Sequence, residues 1–312
     1  RRRVWPAGTM PSGPSTDSAA AALKVSGLRS DQIGCLIHAS VCRDFLEPAT
    51  ASRVHHQLGL PNACWIYDVS NACLGIVNGA VQIGMMIEAG VIEAGIVVGT
   101  ENSRMLLEST MQSLNQDVSL TRQSVKPAFA SLTIGSGSCA WLLCHQRHAP
   151  QATSLNVAIA ESRTQFNDLC RSDTDSAGSA MQPLMDTDSE RLMAEGIATG
   201  VTAFEALLAE SGWSRPQIDR TACHQVGSRH RQSMLESLAL PVERDSSTFG
   251  ELGNTGSVAL PLTVASAIDR GQLNPQDKVA LLGIGSGINS VMLACQWGET
   301  VVAGNIDAIR PA

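Results

Sequence analysis

Apolar runs alternate with segments of helical spacing along the first third of the chain. The runs predict strands and the spaced segments predict helices. In order, the predicted elements are a helix at 15–26, a strand at Cys35–Ala39, a helix at Pro48–Leu58, a strand at 65–67, a helix at 74–89 and a strand at 94–99. This alternation is typical of an α/β fold with layered sheets and helices.

The second half of the chain repeats this order. Its predicted elements are a helix at 191–210, a strand at 221–224, a helix at Arg231–Leu238, a turn at 249–256, a helix at Ser257–Asp269 and a strand at Val279–Gly283. The segments 26–33 and 211–218 also share Ser, Gly, Gln and Ile at identical spacing, and each Gly ends a helix at the C′ position. We therefore expect an internal duplication in which two similar halves face each other.

The sequence is less regular where the halves join. We assign 1–150 to the N-terminal half and 151–312 to the C-terminal half, with a strand pair at 131–143 and 156–161 between them. The segment at about 163–190 is rich in Ser, Asp, Thr and Gln and low in periodicity. We interpret it as an inserted surface loop or cap, and a disordered insert is the alternative.

Composition excludes several classes of function. Of the 312 residues, 44% are hydrophobic and 16% are charged, so the chain can bury a sizeable core. A formal charge of −7 leaves no basic footprint for nucleic acid. The apolar stretch 76–100 is interrupted by Glu88, Glu93 and several glycines, which favours a helix, a turn and a strand over a membrane span.

The cysteines indicate a reducing compartment. Nine are scattered without CxxC or Cys/His metal-ligand spacing. The segment Arg1–Trp5 is not followed by the apolar run of a secretory signal. We therefore expect a cytoplasmic protein with reduced thiols and no metal.

One cysteine stands where a covalent nucleophile is placed. Cys73 lies at the junction of the predicted strand at 65–67 and the helix at 74–89. There the unpaired N–H groups and the helix dipole stabilise a thiolate, and neighbouring Gly and Ala residues let an acyl chain approach the backbone. An inert core cysteine is the alternative, since free Cys is among the most buried residue types.

Three short segments follow one another in a recognisable order, Asn71–Cys73, His224–Gly227 and Gly253–Gly256. With the Gly-rich segment Leu281–Gly287, they resemble the thiolase superfamily and, within it, the β-ketoacyl-ACP synthase III branch. The resemblance covers residues 1–298. It implies a five-layered α-β-α-β-α sandwich, a homodimer, acyl-CoA or an acyl carrier protein as partner, and no cofactor.

The resemblance also assigns roles to residues. Cys73 would attack an acyl thioester and carry the acyl group, because a thiolate is a good nucleophile and a good leaving group. His224 and Asn254 would polarise the carbonyl of the second substrate as its enolate develops. The backbone N–H groups of Cys73 and Gly287 would form the oxyanion hole, since Gly287 has no Cβ to block the approach. The alternatives are a core histidine at 224 and a turn-forming asparagine at 254.

The chain departs from the synthase III pattern in three places. Gln225–Gly227 replaces Gln-Ala-Asn, and Gly135–Cys139 replaces Gly-Asp-Gly-Ala-Gly. The segment Arg43–Thr50 is similar to a relative of synthase III that condenses two long-chain acyl-CoAs head to head in bacterial olefin synthesis. In that relative, the Glu of this loop reaches into the partner subunit's active site and acts as the general base.

The presence of Glu47 therefore distinguishes between two possible condensation reactions. A malonyl donor forms its carbanion by losing CO2, whereas an unactivated acyl-CoA must lose an α-proton to a base. We expect an acyltransferase that joins two long-chain acyl-CoAs by Claisen condensation through an acyl-Cys intermediate, with Glu47 as the base. The alternatives are a conventional synthase III that uses malonyl-ACP in fatty-acid initiation, with Glu47 only a helix-start residue beside Pro48, and a non-catalytic scaffold subunit of a condensing complex.

Two further features concern the substrate and the chain start. Arg229, five residues after His224, matches a family Arg near the pocket mouth that would meet a CoA phosphate or an acidic carrier protein; a plain surface Arg is the alternative. The family also has a strand and a helix before the segment that resembles Arg1–Trp5. We therefore expect the first strand of the N-terminal half to be missing.

Overall fold

The computed structural model describes residues 3–117, 119–121, 123–172, 185–224 and 226–305. In these ranges the chain forms two large β-sheets with helices packed on them. The helices are α1 (Ser12–Ser26), α2 (Thr50–Leu58), α3 (Gly75–Glu88), α4 (Arg104–Gln116), α5 (Ser189–Ser211), α6 (Ser228–Ser237), α7 (Phe249–Leu252) and α8 (Ala259–Asp269). The strands are β1 (Cys35–Ala39), β2 (Trp65–Val69), β3 (Ala94–Glu101), β4 (Gly137–Cys144), β5 (Ser154–Ser162), β6 (Cys170–Ser172), β7 (Met185–Thr187), β8 (Arg220–Cys223), β9 (Asp245–Ser246), β10 (Lys278–Gly285) and β11 (Asn289–Gln296).

The two sheets have matching strand orders. The first is β2-β1-β3-β4 and the second is β9-β8-β10-β11-β5. In both, the first three strands run parallel and the next is antiparallel. The second sheet has a fifth strand, β5, paired with β11, whereas within the described residues the first sheet has no strand against the outer edge of β4.

Helices fill three layers around the two sheets. α1 and α2 cover the outer face of the first sheet, and α5 and α6 cover the outer face of the second. α3 and α8 lie between the sheets: Ile76 and Ile83 of α3 pack on the first sheet, while Val77 packs with Leu281 of the second. The α-β-α-β-α sandwich predicted from the family resemblance is therefore confirmed.

Small residues bring α3 close to the first sheet. A Cβ at Gly79 would lie 2.5 Å from Val97 Cγ2, closer than atoms approach in proteins. The small-residue composition of this helix therefore sets its distance from the sheet, and with it the depth at which Cys73 lies.

Two predicted elements are wrong. The strands predicted at 131–143 and 156–161 do not pair, because β4 closes the first sheet and β5 pairs with β11 in the second. The helix predicted from Pro48 begins at Thr50. The Asp68 carboxylate accepts hydrogen bonds from the N–H groups of Thr50 and Ala51 at 2.7 and 2.8 Å, and this side-chain cap fixes the first turn two residues later than the proline suggests.

The predicted cap is described only at its ends. β6 and β7 form a short antiparallel pair before α5, and residues 173–184 of the cap lie outside the described ranges. In the part of the chain that the structure describes, α5 alone is long and apolar enough to cross a membrane by length and composition. It packs against β5 and β11, as a core helix of the sandwich does.

Candidate active site

Cys73 lies in a tight turn between β2 and α3. Residues 72–74 form one 3-10 turn that leads into α3 at Gly75, and Ala72 has a φ of +43°, a left-handed conformation that few side chains adopt. The Asn71 amide donates to Asn78 Oδ1 at 2.7 Å and to Asn289 Oδ1 at 3.2 Å. The turn is thus tied to α3 on one side and to the start of β11 on the other.

The sulfur of Cys73 faces two N–H groups and a negative charge. The backbone N–H groups of Ser286 and of Cys73 itself lower the pKa of the thiol, because they stabilise the thiolate. Burial opposes ionisation more strongly, and the Glu101 carboxylate and the Cys170 thiol add to it, so the pKa of Cys73 is raised to about 12. At neutral pH the sulfur therefore carries its proton, in contrast to the thiolate that the helix start alone predicts.

His224 is a buried, neutral imidazole at the end of β8. Its backbone N–H donates to Leu282 O at 3.0 Å and continues the strand pairing. The residue is only 2% exposed, and within the described ranges neither ring nitrogen has a hydrogen-bond partner. Burial, and then the nearby His230, lower the pKa of His224 to about 3. A structural core histidine has its ring nitrogens satisfied, so this geometry favours a histidine that awaits a substrate atom.

Asn254 is held by a turn that uses only one end of its amide. Its side-chain Oδ1 accepts from the Gly256 N–H at 2.9 Å, and its backbone exchanges bonds with Thr133 O at 2.9 Å and the Gly135 N–H at 2.8 Å. A Cβ at Gly135 would lie 1.9 Å from Leu252 O, so glycine is required at this position, which the chain shares with the family pattern. Asn254 therefore does form a turn, and this turn fixes its side-chain amide. The Nδ2 of that amide is the donor that the family resemblance implies.

The turns of the two halves meet at one place. The turn at 72–74 contacts the turn at 256–258, which follows Asn254, and it also contacts β10, the strand that pairs with β8. Leu74 packs where Cβ atoms would stand at Gly283 and Gly285. The structure therefore gathers Cys73, the end of β8 and the Asn254 turn at the junction of the two sheets.

Glu47 lies apart from this cluster on an exposed loop between β1 and α2. It precedes the first residue of α2 by three positions, so it is not a first-turn residue as one alternative holds. In the described part of the chain, Glu47 takes part in no hydrogen bond or ion pair. The loop itself is anchored, because the Asp44 carboxylate accepts from the Ser12 N–H at 2.8 Å and the Asp44 N–H donates to Thr50 Oγ1 at 3.1 Å.

The Gly-rich loop and Arg229 complete the predicted set. Gly287 has a φ of +80°, which suits glycine. The loop N–H that lowers the pKa of Cys73, however, belongs to Ser286, one residue earlier. The Asn289 side chain donates to Ser286 O at 2.9 Å and so orients the next peptide, which carries the Gly287 N–H. Arg229 is exposed in the first turn of α6. Gly287 and Arg229 therefore remain predictions.

Sequence reasoning missed three residues at the site: Glu101, Cys170 and His230. Glu101 ends β3, Cys170 accepts a hydrogen bond from the Ser286 hydroxyl at 3.5 Å, and His230 lies close enough to lower the pKa of His224. A buried acid at the carboxyl end of an apolar parallel strand was the one available signal. All nine cysteines are free, and among the described residues no cluster of His, Cys, Asp and Glu is arranged to hold a metal.

Comparison with known proteins agrees with this architecture. Residues 208–297 match the family described as 3-oxoacyl-[acyl-carrier-protein (ACP)] synthase III C terminal. The acyl-CoA:acyl-CoA alkyltransferase of Shewanella oneidensis is 37% identical over 305 residues, covering 95% of this chain and 85% of the relative.

Two solved structures extend the comparison. Xanthomonas campestris OleA with bound lauric acid and lauroyl-CoA is 32% identical with a TM-score of 0.88, covering 95% of this chain and 85% of that chain. The 3-oxoacyl-ACP synthase III of Xanthomonas oryzae is 33% identical with the same TM-score and the same coverage. The chain belongs to the thiolase-fold condensing enzymes of the β-ketoacyl-ACP synthase III type, among which it groups with the acyl-CoA:acyl-CoA alkyltransferases, and it is an acyltransferase.

Proposed function

We propose that this enzyme joins two long-chain acyl-CoAs head to head, without decarboxylation, and that Glu47 is the base. The observation that carries the proposal is the placement of Glu47, an unpaired carboxylate on an anchored loop that projects from the protomer. Solved variants of Xanthomonas campestris OleA replace a cysteine and a glutamate 26 positions before it, and Glu47 precedes Cys73 by 26 positions.

The first half-reaction transfers an acyl group to Cys73. Its sulfur attacks the thioester carbonyl of the first acyl-CoA, the new S–C bond forms, the bond to the CoA sulfur breaks, and CoA leaves as a thiol with the proton from Cys73. The developing oxyanion is stabilised by the Cys73 N–H and by an N–H of the 285–287 loop. Gly287 is the residue assigned by family resemblance, and the Ser286 N–H already faces the sulfur in the unliganded chain.

The second half-reaction forms the carbon–carbon bond. A second acyl-CoA places its thioester carbonyl against neutral His224 and the Asn254 amide, which stabilise the enolate as Glu47 takes the α-proton. The α-carbon attacks the acyl-Cys carbonyl, the C–C bond forms and the C–S bond breaks. Cys73 regains a proton, and the product is a β-ketoacyl-CoA, which yields a β-keto acid on hydrolysis.

Glu47 acts in a homodimer, in the site of the second protomer. Phe45 and Leu46 beside it are 51% and 57% exposed, and Trp65 at the start of the edge strand β2 is 59% exposed. An exposed apolar surface of this kind is typical of an interface, and an unpaired strand edge accepts a second strand. Pairing of β2 edges would carry each Glu47 loop towards the other protomer.

Charge and thiol state support the remaining parts of the proposal. Arg229 suits a CoA phosphate, or an acidic carrier protein if malonyl-ACP is the donor. Nine free thiols suit a reducing cytoplasm. The scaffold alternative has no support, because the three family positions are filled and the chain is an acyltransferase. The conventional synthase III reaction is the competing function.

The deciding experiment supplies the purified enzyme with myristoyl-CoA alone and then with myristoyl-CoA and malonyl-ACP. We expect a long β-keto acid or its ketone breakdown product from myristoyl-CoA alone, detected by mass spectrometry. Product only after malonyl-ACP is added would assign the enzyme to fatty-acid initiation and remove the base role of Glu47.

A further inference from the structure

A buried carboxylate lies where the parts of the site meet. Glu101, the last residue of β3, is 6% exposed. Its Oε1 accepts from the Val41 N–H at 3.0 Å and from Ser257 through both the N–H at 3.3 Å and the hydroxyl at 2.6 Å, and its Oε2 accepts from the Cys42 N–H at 3.3 Å. Within the described residues no salt bridge involves Glu101. Backbone and hydroxyl dipoles therefore balance its charge.

The groups that Glu101 binds belong to different parts of the site. Val41 and Cys42 open the loop that leads to Glu47. Ser257 lies in the turn that follows Asn254. One carboxylate therefore fastens a loop of the N-terminal half to a turn of the C-terminal half.

Glu101 also bears on the peptide that holds the Asn254 amide. Gly256 has a φ of +57°, and a Cβ there would lie 3.1 Å from Glu101 Cγ. The N–H of the same Gly256 donates to Asn254 Oδ1 at 2.9 Å. A displacement of the Glu101 side chain would therefore move the turn that orients Asn254.

The third connection is electrostatic. After burial, the Glu101 carboxylate is the next largest cause that raises the pKa of Cys73 to about 12, and it also raises the pKa of Cys42. A negative charge held this close keeps the proton on the nucleophile until the substrate arrives.

We propose that Glu101 is a positioning residue that couples the two half-reactions, because one carboxylate holds the entry of the Glu47 loop, the Asn254 turn and the surroundings of Cys73 as a unit. The coupling rests on the proposed roles of Asn254 and Glu47 in condensation. The effect of Glu101 on the Cys73 thiol does not rest on those roles. The coupling and the effect on the thiol can therefore be tested separately.

The test compares Glu101→Gln with Glu210→Gln, a matched loss of charge at an exposed position of α5. The first measurement is the rate of Cys73 alkylation by iodoacetamide against pH, read by intact-mass spectrometry. Without the negative charge, the alkylation rate of Cys73 at a fixed pH should rise by about threefold or more, which a merely structural residue would not cause. The second measurement is the ratio of condensation to acyl-enzyme formation, which should fall by about tenfold or more, as loss of a positioned donor does.

An alkylation profile and a condensation ratio that both equal those of Glu210→Gln would overturn the proposal. Ser257→Ala provides a second test in case Glu101→Gln fails to fold. It removes the shortest hydrogen bond to Glu101 and keeps the negative charge. It should lower the condensation ratio and leave the alkylation profile unchanged, and a folded Ser257→Ala enzyme with the wild-type ratio would also contradict the coupling. If the wild-type enzyme forms no head-to-head product, only the proposed function fails, and alkylation still tests the effect of Glu101 on Cys73.

Discussion

At the scale of single residues, Cys73 and His224 are both kept uncharged. Burial and Glu101 hold the proton on Cys73, and burial and His230 hold His224 neutral. A thiol is a far poorer target for oxidants and alkylating agents than a thiolate. A neutral imidazole supplies an N–H to a carbonyl without the cost of a buried charge. The protonated Cys73 is therefore protected from oxidants and alkylating agents.

His224 and His230 make stability depend on pH. The pKa values of His224 and His230 are about 3 and about 4, below the 6.5 of an exposed imidazole. Below pH 6.5 the unfolded chain binds protons that the folded chain does not, so stability is full above that pH and falls as the pH is lowered. We expect each histidine to cost about 2 kcal/mol of unfolding free energy between pH 8 and pH 5.

Urea unfolding of His230→Asn at both pH values measures this effect. The variant should lose less stability than the wild type on acidification, by about 2 kcal/mol. His56→Asn, at an exposed position of α2, is the control and should retain the full decline. An equal decline in His230→Asn and His56→Asn would show that His230 is charged in the folded chain.

At the scale of elements, glycine spacing in α3 decides where Cys73 lies. Gly79 faces β3 at a distance that excludes a methyl group, whereas a Cβ at Gly84 on the same helix would have no atom within 4 Å. Gly79→Ala should destabilise the fold by about 1–3 kcal/mol through overpacking. Gly84→Ala should be neutral or stabilising by up to about 1 kcal/mol, because Ala favours helix.

Chemical denaturation and the rate of Cys73 acylation together test this prediction. Only Gly79→Ala should lower both the free energy of unfolding and the acylation rate, since α3 follows directly on the turn that holds Cys73. Equal stability in the two variants would mean that the helix moves freely on the sheet.

The elements show how far sequence reasoning reaches. The apolar runs and the repeated Ser-Gly spacing locate the three parallel strands of the first sheet and β8 and β10 of the second, but not β9 or β11. Small residues after Cys73 indicate a helix packed closely between layers. The start of α2 depends on Asp68, a side chain from β2, so local sequence places it too early. Glu101 hydrogen-bonds to Ser257 only because the two halves pack together in the fold. Sequence spacing does not predict that contact.

At the scale of the whole molecule, a base that acts across a dimer can be tested by mixing variants. Cys73→Ala should form no acyl adduct, and Glu47→Gln should form the adduct but fail to condense. In a heterodimer of the two, one site combines the intact Cys73 with the intact Glu47 of the other chain. Random mixing should therefore restore about a quarter of the wild-type condensation rate, because half of the dimers are mixed and one of their two sites is complete.

Co-expressed, differently tagged variants supply the mixed dimers for this measurement. A mixture as inactive as Glu47→Gln alone would place the base in the same chain as the nucleophile. A monomeric wild-type enzyme with full activity would have the same consequence.

The contact between the turn at 72–74 and the turn at 256–258 has a consequence for how such a molecule arose. Each turn opens the central helix of its own half, so both descend from one ancestral strand-to-helix junction. In the proposed mechanism, one copy holds the acyl group and the other holds the amide that activates the second substrate. On this mechanism, duplication produced two halves with different roles instead of two equal catalysts.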